Sequence, residues 1–262
     1  MPSADGLRMA IGIKEERELE AMRRAGRAVA LVLDVLKTSM RAGMRTLELN
    51  DIAERELKAL GGRSSFKGYP GHTGYPYPAS LCVSINDEIV HGIPGDRIIK
   101  DGDIVSLDFG AIVDGYQGDA AITVMVSEVG LLARGLVNAT REALEAGIAA
   151  TRAGRRLGDI SSAIQRCAES RGFSVIREYT GHGIGREMHE DPLVPNFGEP
   201  GTGPELKKGM TLALEPMLTT GGWQTREGRD HWLVSTADGS LAAHFEHTVA
   251  VTADRAEILT RV

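Results

Sequence analysis

Four acidic side chains stand where the surrounding residues call for hydrophobic ones. Asp108 in IVSLDFGAIV, Asp119 in GDAAITVMV, Glu215 in LALEPML and Glu246 in HFEHTVAV sit inside apolar, strand-like runs. Buried carboxylates are rare unless paired, and none of these runs contains a lysine or arginine. If the four converge, each close pair repels by about 4 kcal/mol at about 4 Å and an effective dielectric of about 20. Protonating some of them would relieve this, but two divalent cations would balance all four charges. His182, framed by Gly181, Gly183 and Gly185, adds a nitrogen ligand on a loop that can approach closely. Each of the five, taken singly, has an ordinary structural reading. Together they read as a dinuclear metal site.

A hairpin must position the first two. The runs on either side of Asp114-Gly115 are β-rich, and that dipeptide is a strong two-residue turn signal. Centring the turn there sets Asp108 opposite Ala121, so Asp119 emerges on the same face as a diagonal neighbour, roughly 5–8 Å away. For these two alone, a solvated face of an exposed hairpin is an equal reading.

The rest of the chain supplies helices and further strands. Leu19, Met22, Val29, Val32, Leu33 and Leu36 recur at helical spacing between Glu15 and Ser39. A second helix is predicted from Thr46 to Gly61-Gly62, with Leu49, Ile52, Ala53, Leu57 and Leu60 inward. Residues 63–80 form a long Gly/Pro/Tyr-rich loop, and 81–94 read as a short hairpin turning at Asn86-Asp87-Glu88. Helices are predicted again over 132–149 and 158–171, and 232–252 reads as hairpin-like. RAGMRTLELNDIAERELKALGG (41–62) is echoed by RAGRRLGDISSAIQRCAESRGF (152–173), allowing a three-residue gap. Helix, Arg-Ala-Gly, helix, then strands thus occurs twice, which suggests two pseudo-symmetric α/β halves with a site at their seam. Chance similarity of two amphipathic helices is the rival reading.

With 262 residues, the chain has ample length for a real core, and 42% apolar with 25% charged residues is ordinary for a soluble globular protein. A net charge of −6 argues against a general nucleic-acid binder, while leaving room for a small basic patch that docks transiently on a ribosome. Cys82 and Cys167 form neither a metal-spacing motif nor a disulfide framework, which suits a reducing cytoplasm. No apolar run is long enough to span a membrane and no signal-peptide core is present, so a cytoplasmic protein is expected. Residues 1–10 are expected to be a loose extension, with Met9 an alternative start, and 11–262 a single catalytic domain. Competing motifs fail. In GHGIGRE, Arg186 stands where a dinucleotide fingerprint needs its third glycine. His189-Glu190 lacks the second histidine of a zincin helix, and there is no Gly-x-Ser-x-Gly elbow. Cys82 beside His91 could be a nucleophile, although a lone strand cysteine is more often packing.

Five motifs in order, NDEIVHGIP, SLDFGAIVDGYQGDAA, GHGIGREMHEDP, LALEPM and FEHTVAVT, make the chain resemble the bacterial type I methionine aminopeptidases over residues 11–252. That family belongs to the pita-bread metallopeptidases. The resemblance implies an α+β fold of two pseudo-symmetric halves, with a curved antiparallel sheet covered by helices. It implies two divalent ions per chain (Co, Mn, Fe or Zn) held by Asp108, Asp119, His182, Glu215 and Glu246. Asp119 and Glu246 would bridge the ions, His182 and Glu215 would complete one, and Asp108 the other. A water bridging them would be the nucleophile, Glu215 its proton acceptor, and His91 and His189 the side chains that contact substrate and stabilise the transition state.

The same resemblance implies a methionine pocket walled by Phe66, Tyr69, Tyr77, Cys82, Met188 and Trp232, groups suited to a thioether. The implied activity is removal of initiator methionine from nascent polypeptides when the second residue is small, by a monomer in the cytoplasm. Three features depart from the family pattern: Phe66 where a smaller residue is usual, Met188 where an aromatic is usual, and about four extra residues in the loop from Tyr69 to Cys82. An Xaa-Pro aminopeptidase is the alternative on the same fold, but those relatives usually carry an added N-terminal domain for which this chain has no room.

Overall fold

The computed structural model describes residues 11–71 and 74–262; the extension expected over 1–10 lies outside them, as do two residues of the long loop. Helix α1 spans Glu16–Ser39 and buries Leu19, Met22, Val29, Val32, Leu33 and Leu36, the residues its periodicity selects. Helix α2, Thr46–Ala59, buries Leu49, Ala53 and Leu57. Leu60, expected on that inward face, is instead 41% exposed. The helix has already ended there, and the chain is turning into Gly61 at φ 72°. Helices α3 (Leu131–Ala150) and α4 (Leu157–Ser170) follow in the second half.

The repeated Arg-Ala-Gly segments make the same turn twice. Gly43 and Gly154 adopt φ 89° and 81°, a region that favours glycine. Gly43 N–H donates to the Ile99 carbonyl at 2.8 Å, and Gly154 N–H to that of Leu206 at 3.0 Å. Arg45 then bridges to Ile98 and Arg156 to Glu205. The N–H of Arg45 donates to the Glu48 carboxylate, and that of Arg156 to Asp159, each at 3.0 Å. The echo in the sequence therefore corresponds to the same structural unit formed twice.

Both helix pairs pack on one face of a nine-stranded sheet, antiparallel at every pairing. Its central order is Ile104–Val113, Tyr116–Met125, Glu246–Val251, Thr211–Leu214 and Gly181–Gly183. The first two strands form the expected hairpin, with Asp108 opposite Ala121. Asp114 and Gly115 both take positive φ, 51° and 78°, as the favoured two-residue turn requires. Two other hairpin readings need correction. The 81–94 run does turn at Asn86, and its arms share the bond from Val83 N–H to the Gly92 carbonyl at 2.8 Å, but Cys82–Ile85 takes its ladder from the large sheet while Glu88–Val90 pairs with Val234–Thr236 in a smaller one. Similarly, Val234–Thr236 and Ala242–His244 find partners in two different three-stranded sheets. Local alternation specifies a strand, but its partner is chosen by the tertiary fold.

Each helix pair covers its own core: Val32, Leu36, Leu49 and Phe109 in one half, Leu136, Ile160, Leu212 and Val249 in the other. Within the large sheet the halves' strands meet at two register pairs, Glu246↔Ala121 and His247↔Ala120. Two threonine hydroxyls extend that seam. Thr248 Oγ1 donates to the Asp119 carbonyl (2.8 Å) and accepts from its N–H (3.0 Å). Thr123 Oγ1 does the same for His244, at 2.7 and 2.9 Å. Helix α1 presses on this region through Gly26, where a Cβ would lie 2.3 Å from the Leu259 carbonyl oxygen. Gly26→Ala is therefore expected to lower the unfolding free energy by about 1–3 kcal/mol through overpacking, outweighing the roughly 1 kcal/mol that alanine gains in a helix. Urea denaturation measures it; a more stable variant would show that α1 can yield.

Candidate metal centre

Register alone brings the five side chains to one row. Asp108 and Glu246 both pair with Ala121, from opposite sides, and so share its face of the sheet. Asp119 is two residues from Ala121 on the same strand, hence also on that face. Glu246–Val251 runs against Thr211–Leu214 with His247 opposite Leu214, so the next pair outward is Glu246 and Glu215. His182 pairs with Ala213, two residues before Glu215. Five adjacent strands thus each deliver one side chain to the same place.

Ligand atoms of Asp119, His182 and Glu246 lie within 4.8 Å of one another. His182 Nε2 stands 3.5 Å from Glu215 Oε1. The His182 Nδ1 is 2.8 Å from the Gly183 carbonyl, which can only accept, so the ring proton sits on Nδ1 and the Nε2 lone pair faces the carboxylates. His182 lies on a short strand, where a loop was expected. Its flanking glycines let backbones approach: a Cβ on Gly181 would sit 2.3 Å from the Ala213 carbonyl oxygen, and one on Gly183 2.2 Å from that of Asp191.

The donor set fits divalent cations. Asp108 Oδ1, Asp119 Oδ1 and Glu246 Oε1 are buried with no hydrogen-bond partner. Among the described residues no lysine or arginine pairs with any of the four acids. Burial raises the Asp108 carboxyl to about 7. It also holds Asp119, Glu215 and Glu246 well above the ordinary carboxylate range, reinforced by their mutual repulsion. His182 is pushed down to about 3 by burial, so its imidazole is neutral and available as a ligand.

The row opens into a cavity of about 460 Å³ lined by all five residues and by His91 and His189. Phe66, Tyr69, Tyr77, Cys82, Met188 and Trp232, the side chains expected to wall a methionine pocket, line it too. Tyr69 Oη is 2.7 Å from His189 Nδ1. His91 holds φ 62°, a conformation side chains rarely take, and its ring meets Trp232 edge-on at 6.1 Å. Tyr75 of the long loop is tied to two residues of the cavity wall: Trp232 Nε1–H donates to the Tyr75 carbonyl at 3.0 Å, and the Tyr75 and His231 rings stack at 4.3 Å. Tyr179, Glu227, His231 and Val234 also line the cavity, though no sequence pattern marked them. His244, two residues before Glu246, stands beside the row with Nε2 3.9 Å from Glu215 and 4.0 Å from Glu246, and its two-residue offset is a signal the sequence carries.

A curved antiparallel sheet with duplicated helix pairs on one face and an acid-rich cluster at the seam of the other defines a metal-dependent hydrolase of the pita-bread architecture. Residues 20–253 match Metallopeptidase family M24. Methionine aminopeptidase 1 of Bacillus subtilis is 49% identical, over 95% of this chain and 98% of its own. Methionine aminopeptidase 1 of Mycobacterium tuberculosis is 50% identical, over 93% and 92%. The solved structure of methionine aminopeptidase from Thermotoga maritima superposes with a TM-score of 0.93 at 46% identity, over 97% of this chain and all of that one. A Xaa-Pro dipeptidase from Bacillus anthracis, at 23% identity and a TM-score of 0.76, shares the fold; this chain spans 62% of it. The chain belongs to metallopeptidase family M24 and, within it, to the methionine aminopeptidases.

The raised carboxyl groups make cation binding proton-linked. A cation takes up ionised carboxylates, so binding at pH 7 is expected to release protons, and affinity to rise with pH through neutrality as Asp108 ionises. Calorimetric titration with Mn²⁺ in buffers of different ionisation enthalpy measures the release. Binding with no proton release would place the ion elsewhere.

Proposed function

We propose that the chain removes the initiator methionine from nascent polypeptides whose second residue is small, using two divalent cations (Co, Mn, Fe or Zn) held by Asp108, Asp119, His182, Glu215 and Glu246. The observation that carries this reading is the convergence of four carboxylates and a neutral imidazole from five adjacent strands, with no basic counter-charge among the described residues. When bound, the cations supply Lewis acidity towards the scissile carbonyl and lower the pKa of water towards neutrality.

The chain's own side chains do the rest. Glu215 takes the proton of the attacking water and passes it to the leaving amine. With the Tyr69 phenol donating to Nδ1, the His189 ring proton sits on Nε2, from which it donates to the developing oxyanion. His91 contacts the substrate beside the scissile bond. The methionine side chain is buried among Phe66, Tyr69, Tyr77, Cys82, Met188 and Trp232, worth about 1.5–3 kcal/mol. Together with His91, the loop tied to Trp232 and His231 leaves little room for a bulky second residue.

The reading includes a cytoplasmic monomer that meets nascent chains, with room for a transient ribosome contact. Among the described residues no helix is long and apolar enough to cross a membrane.

Two outcomes are expected. Apo protein given Mn²⁺ or Co²⁺ should release methionine from Met-Ala-Ser and leave Met-Lys-Ser intact; equal rates on both would leave only a general aminopeptidase. Glu215→Gln should lower turnover by roughly 10³-fold or more, since it removes both a ligand charge and the proton acceptor. A loss below about tenfold would assign the base elsewhere.

A further inference from the structure

His244 closes the short strand Ala242–His244 and is 1% exposed. Its backbone is fixed by pairing with Met217 and by the two hydrogen bonds to Thr123 Oγ1. The imidazole, by contrast, is unmatched: Nδ1 and Nε2 are both buried without a hydrogen-bond partner. Native interiors seldom leave such atoms unsatisfied, and each instance asks for a cause. Nε2 is aimed between two carboxylates, 3.9 Å from Glu215 Oε2 and 4.0 Å from Glu246 Oε2. These separations exceed a hydrogen bond, yet one water or a shift of about 1 Å would close them. Packing alone would be met equally well by an apolar ring, which would carry no such orphaned atoms.

We propose that His244 is a positioning residue whose Nε2–H holds the Glu215 and Glu246 carboxylates in the orientation that receives cations. This rests on reading those two acids as ligands. Carboxylates that bind metal are themselves held by an outer hydrogen bond, which fixes the lone pair presented to the ion. One donor shared by Glu215 and Glu246 ties together two strands of the row, Glu246 from Glu246–Val251 and Glu215 at the end of Thr211–Leu214.

Side-chain amides separate this role from packing. A glutamine amide can take the place of Nε2, and an asparagine amide that of Nδ1. Mn²⁺ titration of apo wild type, His244→Ala, His244→Gln and His244→Asn, with circular dichroism as the fold control, is the experiment. His244→Ala and His244→Asn are expected to bind Mn²⁺ about 10–100-fold more weakly than wild type, with His244→Gln within about threefold of it. Saturating Mn²⁺ should recover the KM for Met-Ala-Ser in every folded variant. Alanine binding within about threefold of wild type, or asparagine restoring affinity as well as glutamine, overturns the proposal. Should the alanine variant fail to fold, the glutamine–asparagine contrast decides. Wild type that binds no Mn²⁺ would instead overturn the metal reading itself.

Discussion

Four carboxylates in an apolar sheet with no basic partner are a standing electrostatic cost, and the molecule is built around meeting it. Desolvation favours the protonated acid, repulsion opposes ionising a second neighbour, and a multivalent cation reverses both terms at once. The strands that carry these acids cannot move them apart, because register fixes each one. A slip of a single residue would turn a whole strand's set to the other face. The hairpin turn at Asp114-Gly115 and the close-packed strand Gly181–Gly183 therefore help to hold the acids and His182 in one row.

The duplicated helix–turn–helix units explain how such a row is held still. Each half has its own core, so the strands under it are anchored independently of the metal centre. The centre lies where the large sheet's two halves share a short ladder, and threonine hydroxyls add bonds there. Side-chain bonds at the seam let the two sheet segments meet without a continuous ladder. That leaves space on one face for buried polar groups, which a fully paired sheet packed with Ile and Val would fill.

Much of this was legible in the sequence because it is governed by short-range rules. Period-2 alternation and a turn dipeptide fixed the relation of Asp108 to Asp119, and helical spacing fixed the inward faces of α1 and α2, apart from Leu60 at a helix end. The Arg-Ala-Gly echo survived because the left-handed glycine and the acid capping the next helix are both local requirements. Strand partners beyond hairpin range were not legible: Cys82–Ile85 and Glu88–Val90 alternate like a hairpin, yet long-range partners claim each separately. Tyr179 and His231 reach the cavity through tertiary placement, and nothing in their neighbours' pattern announces it. His244 differs, since its two-residue offset from Glu246 is a local signal that the sequence carries.

The seam also divides ownership of the centre. Asp119 comes from the first half, and His182 and Glu246 from the second, across a connection that runs through Ser127 to Gly130. Neither half, taken as a separate polypeptide, carries a complete cluster. Cleaved at that connection, the enzyme would become a two-fragment system in which the cation acts as a staple, and metal affinity would report how well the fragments reassemble.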